Sequence, residues 1–138
     1  MKTTIKRLKT KSPHKLLEQE CTRLWAKAVK LRAGNKSEMS GKTEGLHAHH
    51  IAGKPNYRLR FELENGICLT AGEHFYVAHN TGRQAQFRSF IRLLRGHDIF
   101  ERLERLRYDQ CKSDLVMVKA YLESAIKEAE GKYVRFKG

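Results

Sequence analysis

Apolar side chains recur at helical spacing near the start of the chain: Leu17, Cys21, Leu24, Ala28 and Leu31, with Trp25 alongside and Lys and Arg on the other faces. Ser12-Pro13 supplies an N-cap and a first-turn proline, and Gly34 supplies a C-cap, so a helix is expected over about 13–33. The last third repeats this behaviour in three stripes. Phe87, Phe90, Ile91 and Leu94 form one, Phe100, Leu103 and Leu106 a second after Gly96, and Leu115, Val118, Leu122, Ile126 and Ala129 a third ending at Gly131. The centre differs. Leu46–Ile51 alternates loosely as a strand, residues 52–65 read as an extended loop, and Gly66–Leu69 forms a second short strand. Thr70-Ala-Gly-Glu73 then has the spacing of a capping box and predicts a helix over about 71–79. The expected fold class is α+β, with a short two-stranded hairpin and its helix flanked by N- and C-terminal helices.

With 138 residues, 40% of them hydrophobic, the chain is expected to form one domain over 12–138, preceded by a basic flexible arm at 1–11. No apolar run is long enough to cross a bilayer, and the basic start has no apolar stretch behind it, so neither a membrane span nor a secretory signal is expected. The net charge of +13 points to a polyanionic partner. It is unevenly placed: residues 1–36 carry eleven Lys/Arg against two Glu, 37–80 carry four against five, and 81–112 carry eight against four. A basic arm and a basic third quarter therefore flank a nearly neutral centre. The three cysteines, Cys21, Cys68 and Cys111, are odd in number and widely spaced, which suits a reducing cytoplasm better than a disulfide framework.

That neutral centre holds five of the seven histidines: His47, His49, His50, His74 and His79. Imidazole is both a common transition-metal ligand and the usual general base near neutral pH. One such residue is more often a surface or core histidine, and His47 is read that way; the cluster is harder to assign to packing.

The segment LHAHHIAGKPNYRLRFELENGICLTAGEHFYVAHN, residues 46–80, resembles the HNH (ββα-metal) endonuclease motif in its compact phage-type form. The likeness extends more weakly over about 24–95, and the core motif spans 44–80. It rests on His49-His50 at the end of the first strand, Asn65 before the second and His74 at the helix start, in that order and separation. The resemblance implies roles. His49 and His74 would ligate one divalent metal, with Mg²⁺ or Mn²⁺ for activity and Zn²⁺ or Ni²⁺ also accommodated. His50 would be the base that deprotonates the attacking water. Asn65 would hold the long loop by backbone hydrogen bonds and help orient His50. Arg60 would add electrostatic stabilisation at the phosphate. His79 is the further ligand, although it lies about 140° from His74 around a regular helix, so the helix must fray or bulge there, or water completes the shell. Adjacent strand residues point to opposite faces, so the site must sit where the strand end twists.

Relatives of this type often carry two C-x-x-C knuckles around a structural zinc. By alignment these fall on Ser37-Glu-Met-Ser40 and Thr70-Ala-Gly-Glu73, with no cysteine among them, so no structural zinc is expected. The implied partner is double-stranded or branched DNA, contacted by Lys6, Arg7, Lys9 and Lys11 of the arm and by Lys54 and Arg58 of the loop. A homodimer would allow cleavage of both strands. The competing readings are a non-catalytic DNA-binding module derived from the same fold, an RNA-directed nuclease, and a membrane-surface protein.

Overall fold

The structure is a computed structural model that describes residues 10–79, 81–109 and 113–136, with backbone alone for 76–79, 81 and 132–136. Helix α1 (Pro13–Arg32) begins where the sequence places it. The Ser12 hydroxyl accepts from the Lys15 N–H at 3.2 Å, and Pro13 occupies the first turn. Its buried stripe is Cys21, Trp25, Ala28 and Val29, while Leu17, Leu24 and Leu31 line its edges. After it, Gly34 and Asn35 take positive φ and turn the chain back.

Strands β1 (Leu46–His50) and β2 (Gly66–Thr70) pair antiparallel, from Leu46 opposite Thr70 to His50 opposite Gly66. Because side chains alternate, the hairpin separates two cores. On one face Leu46, Ala48 and Cys68 pack with Trp25, Val29, Phe61, Leu63 and the buried Leu115, Leu122 and Ile126 of α6 (Leu115–Phe136). On the other, Ile67 and Leu69 pack with Leu59, with Ile91 of α4 (Gln84–Arg95), and with Ile99 and Leu103 of α5 (Ile99–Arg107). The architecture is α+β: one hairpin with helices on both sides. Among the described residues no helix is long and apolar enough to cross a membrane.

Two sequence expectations need correction. Residues 52–65, expected as an extended loop, contain a one-turn helix α2 (Tyr57–Arg60) and a 3₁₀ turn at Leu63–Asn65. Asn56 caps α2 by accepting from the Leu59 N–H at 2.8 Å, and Leu59, Phe61 and Leu63 are driven into the cores. Elements this short leave no periodicity to read. The third stripe was expected to end at Gly131, yet α6 runs on to Phe136. An interior glycine costs a helix only about 1 kcal/mol relative to alanine, too little to stop it.

Backbone closeness between α1 and β2 depends on Gly66. A Cβ there would lie 2.4 Å from Val29 Cγ2 and 2.9 Å from Trp25 Cζ2. Gly66→Ala is expected to lower the unfolding free energy by about 1–3 kcal/mol in a urea titration, the usual cost of overpacking. An unchanged midpoint would mean that α1 shifts without cost.

α2 is joined to α1 through Glu18, whose carboxylate accepts from the Tyr57 hydroxyl and pairs with Lys15 and Arg60, each at 3.3 Å. The Tyr57 hydroxyl bond, then the Lys15 bond and the Arg60 charge, hold the Glu18 carboxyl down to about 2, against an ordinary 4.5. A depressed carboxyl favours the folded state above its unfolded value, and that contribution disappears as pH falls from 4.5 towards 2. Glu18→Gln is therefore expected to flatten the pH dependence of stability across that window. Equal slopes in wild type and variant, measured by urea midpoints, would show that Glu18 is not the group responsible.

Candidate functional site

The alternation of β1 sets the layout. His47 and His49 lie on one face and His50 on the other. Helix α3 (Ala71–His79) covers the His49 side. Its start is the expected capping box: the Glu73 N–H donates to Thr70 Oγ1 and the Thr70 N–H to Glu73 Oε1, each at 3.2 Å. This holds His74 on the first turn, where its ring lies 4.5 Å from that of His49, centroid to centroid. The Phe87 ring of α4 closes on His49 at 5.9 Å. Burial first, then the neighbouring His74 and His50, push His49 down to about 4, so it is a neutral imidazole at ordinary pH and in the form that binds metals.

His50 sits at the end of β1 on the α1 side. Its ring stacks on Trp25 with centroids 4.0 Å apart and planes 4° from parallel. Trp25 is in turn held by donating its Nε1–H to the Glu62 carbonyl at 3.0 Å. His50 Nε2 lies 2.9 Å from the Arg60 carbonyl oxygen. A carbonyl only accepts, so Nε2 carries the proton and Nδ1 keeps the lone pair. Burial pushes His50 below its ordinary value; the bond to the Arg60 carbonyl opposes this, and the charges of Lys54 and Arg60 add to it. The outcome is a fixed, neutral imidazole with one basic nitrogen.

Asn65 is fully buried and uses its whole amide. Its Oδ1 accepts from the Ala52 N–H at 2.8 Å, and its Nδ2 donates to the Gly53 carbonyl at 2.8 Å and the Leu59 carbonyl at 2.9 Å. The Ile51 N–H donates to the Asn65 carbonyl at 2.9 Å and continues the pairing past the strand. Asn65 thus ties both ends of the segment that curls around His50. From outside, Arg107 donates to the Ala52 carbonyl at 2.9 Å, and Asn56 donates to the Leu106 and Arg107 carbonyls.

The remaining candidate residues are placed as follows. The Arg60 guanidinium pairs with Glu18 and donates to Thr22 Oγ1 at 3.0 Å, so it lies against α1 while its carbonyl holds His50. Arg58 pairs with Asp109 at 3.4 Å, Lys54 is exposed, and Lys11 donates to Gln19 at 3.0 Å. Lys6, Arg7, Lys9 and the side chain of His79 lie outside the described residues. His47, read from sequence as a plain histidine, is 6.0 Å from the His74 ring and shares the α3-facing side of β1 with His49. Trp25 as the platform for His50 carried no signal in the sequence beyond its place in a core stripe.

Among the described residues no three metal-binding side chains converge, but the imidazole rings of His49 and His74 lie side by side. The Ser37-to-Ser40 and Thr70-to-Glu73 segments also meet. Ser37 Oγ donates to both Glu73 oxygens at 2.6 and 3.0 Å, and Ser40 Oγ does so at 3.1 and 3.2 Å. Burial pushes the Glu73 carboxyl up, but the bonds from Ser37, Thr70 and Ser40 outweigh it and leave it below its ordinary value. Hydroxyl and carboxylate groups here tie the two segments with hydrogen bonds.

Compared with known proteins, the chain matches no family model, no curated protein and no solved structure.

Proposed function

We propose that this chain is a metal-dependent DNA endonuclease of the HNH (ββα-metal) type. One observation carries the reading: a strand–strand–helix unit sets His49 against His74 while Asn65 secures the segment around a neutral, oriented His50. The meeting of the four knuckle positions at Glu73 supports it independently.

His49 and His74 would hold the divalent ion, with His79 as a further ligand. Bound there, the ion would supply charge neutralisation at the phosphate and at the leaving oxygen. His50 does the proton work. Its Nδ1 lone pair takes a proton from water, while the Nε2–H bond to Arg60 and the Trp25 stack keep the ring from turning away. Lys54 and Arg60 place positive charge beside it, where a phosphodiester would bring negative charge. The cysteine usage, with Cys21 and Cys68 buried as free thiols, fits a reducing compartment such as the cytoplasm.

A non-cleaving DNA-binding module is the second reading, favoured by the presence of only two converging imidazoles among the described residues. Incubation of the protein with supercoiled plasmid, with EDTA or with Mg²⁺ or Mn²⁺, separates the two. Metal-dependent conversion to nicked or linear plasmid, lost in His74→Ala, is expected. DNA binding without conversion on either plasmid or a four-way junction would favour the module.

A further inference from the structure

The arginines of the third quarter are not equivalent. Arg95 pairs with Glu38 at 2.7 Å, Arg102 with Asp98 and with Glu64 at 3.5 Å, and Arg107 with Glu104 at 3.3 Å. Arg88 and Arg92 of α4 have no carboxylate partner among the described residues. Both guanidiniums instead lie over the ring of Phe100, at 3.9 and 5.1 Å from its centroid. An aromatic face holds a guanidinium in place without neutralising it and leaves its N–H edges free for an oxyanion. Arg88 is exposed and Arg92 half-buried.

Their location gives this charge a purpose. Arg88 follows Phe87, whose ring contacts His49, so the backbone of the pair begins next to a residue that touches the His49–His74 site, with the Arg88 side chain about 100° further around α4. Residues four apart on a helix place their Cβ atoms about 5–6 Å apart. A DNA strand offers a phosphate about every 3.4 Å of axis, so two neighbouring phosphates are within reach of two long side chains so spaced.

We propose that Arg88 and Arg92, held on Phe100, form a phosphate-binding clamp that docks the backbone of a DNA strand alongside the His49–His74 site. The clamp deepens the nuclease reading and rests on it for its DNA partner. It adds a contact surface distinct from the arm and the 52–65 segment. Each guanidinium binds a phosphate oxygen through two N–H groups, which sets the strand's direction across the imidazoles.

The test is the salt dependence of binding to a fluorescent DNA duplex by the full chain in EDTA, followed by anisotropy. Relative to wild type, Arg88→Gln/Arg92→Gln is expected to reduce the slope of log K against log salt by about 2, one per guanidinium, and Arg88→Gln alone by about 1. Arg88→Lys/Arg92→Lys should keep the wild-type slope. Arg23→Gln/Lys127→Gln, which removes the same charge from exposed positions on α1 and α6, should leave it unchanged. Because Arg88 is exposed, its single variant reports even if the double variant unfolds. An unchanged slope in the Arg88 and Arg92 variants, with plasmid cleavage by wild type intact, would overturn the clamp and leave the nuclease standing. An equal fall in the Arg23/Lys127 control would also overturn it, by reducing the effect to net charge. Absence of DNA binding by wild type would remove both.

Discussion

Replacing His50 by alanine is expected to lower metal-dependent plasmid cleavage by about 10²–10⁴-fold, the range that a positioned proton acceptor contributes. The expectation follows from how the ring is held. Its Nε2–H is committed to the Arg60 carbonyl, one face is covered by Trp25, and burial favours the neutral form. Burial, with the charges of Lys54 and Arg60, outweighs the bond to the Arg60 carbonyl that would favour the cation, so the basic Nδ1 is what the site keeps. Alanine also removes a stacked ring from a partly buried position, which by itself could loosen the hairpin end. His50→Gln separates the two effects. A glutamine amide can still donate to the Arg60 carbonyl but cannot take a proton at neutral pH. The expected pattern is a melting temperature close to wild type, unchanged duplex binding in EDTA, and cleavage as low as in the alanine variant. Cleavage at the wild-type rate in His50→Gln would assign the base elsewhere and remove the proposed mechanism.

The largest expected loss of stability comes from Asn65→Ala. Removing this amide takes away the partner of the Ala52 N–H and of the Gly53 carbonyl, and one donor from the Leu59 carbonyl, which keeps the Glu62 N–H at 3.4 Å. A buried backbone group without a partner costs about 1–3 kcal/mol, so the two part-buried groups that lose theirs make a loss of about 2–4 kcal/mol. Whole-domain stability is typically about 5–15 kcal/mol, so the variant should give up a substantial share of it. Urea titration followed by Trp25 fluorescence reports both losses at once, because Trp25 stacks on the ring that the Asn65 segment surrounds. Asn65→Asp is expected to fall between, since it keeps an acceptor for the Ala52 N–H but loses both donated bonds and buries a charge. A loss below about 1 kcal/mol in Asn65→Ala would mean that the 52–59 segment repairs its own bonds, and the assigned role of Asn65 would fail.

Much of this was legible along the chain because it depends on neighbours. Ser12-Pro13 and Thr70-to-Glu73 start helices through bonds that close within three residues. The alternation of Leu46–His50 and Gly66–Thr70 specifies a hairpin and puts His49 and His50 on opposite faces whatever lies around them. The buried Asn65 was marked by its place before Gly66 and by the resemblance, not by any pattern of polarity. The sequence alone therefore determined the longer helices and the hairpin, their order and the histidines they carry, but not α2 or the 3₁₀ turn.

The tertiary structure decided which of these residues meet. Trp25 and His50 stack although they are 25 positions apart, and a tryptophan in a helical stripe gives no sign of what it will cover. Ser37 and Ser40 reach Glu73 only because the turn after α1 lies against β2, where Glu38 exchanges bonds with Cys68 and pairs with Arg95. His47 joins His74, and α2 forms inside an expected loop, through packing that residue spacing does not encode. The physical reason is the range of the forces involved. Caps and periodicity are satisfied within a turn or a strand, whereas burial acts on whichever surfaces the folded chain brings together, and that choice is made by all the elements at once.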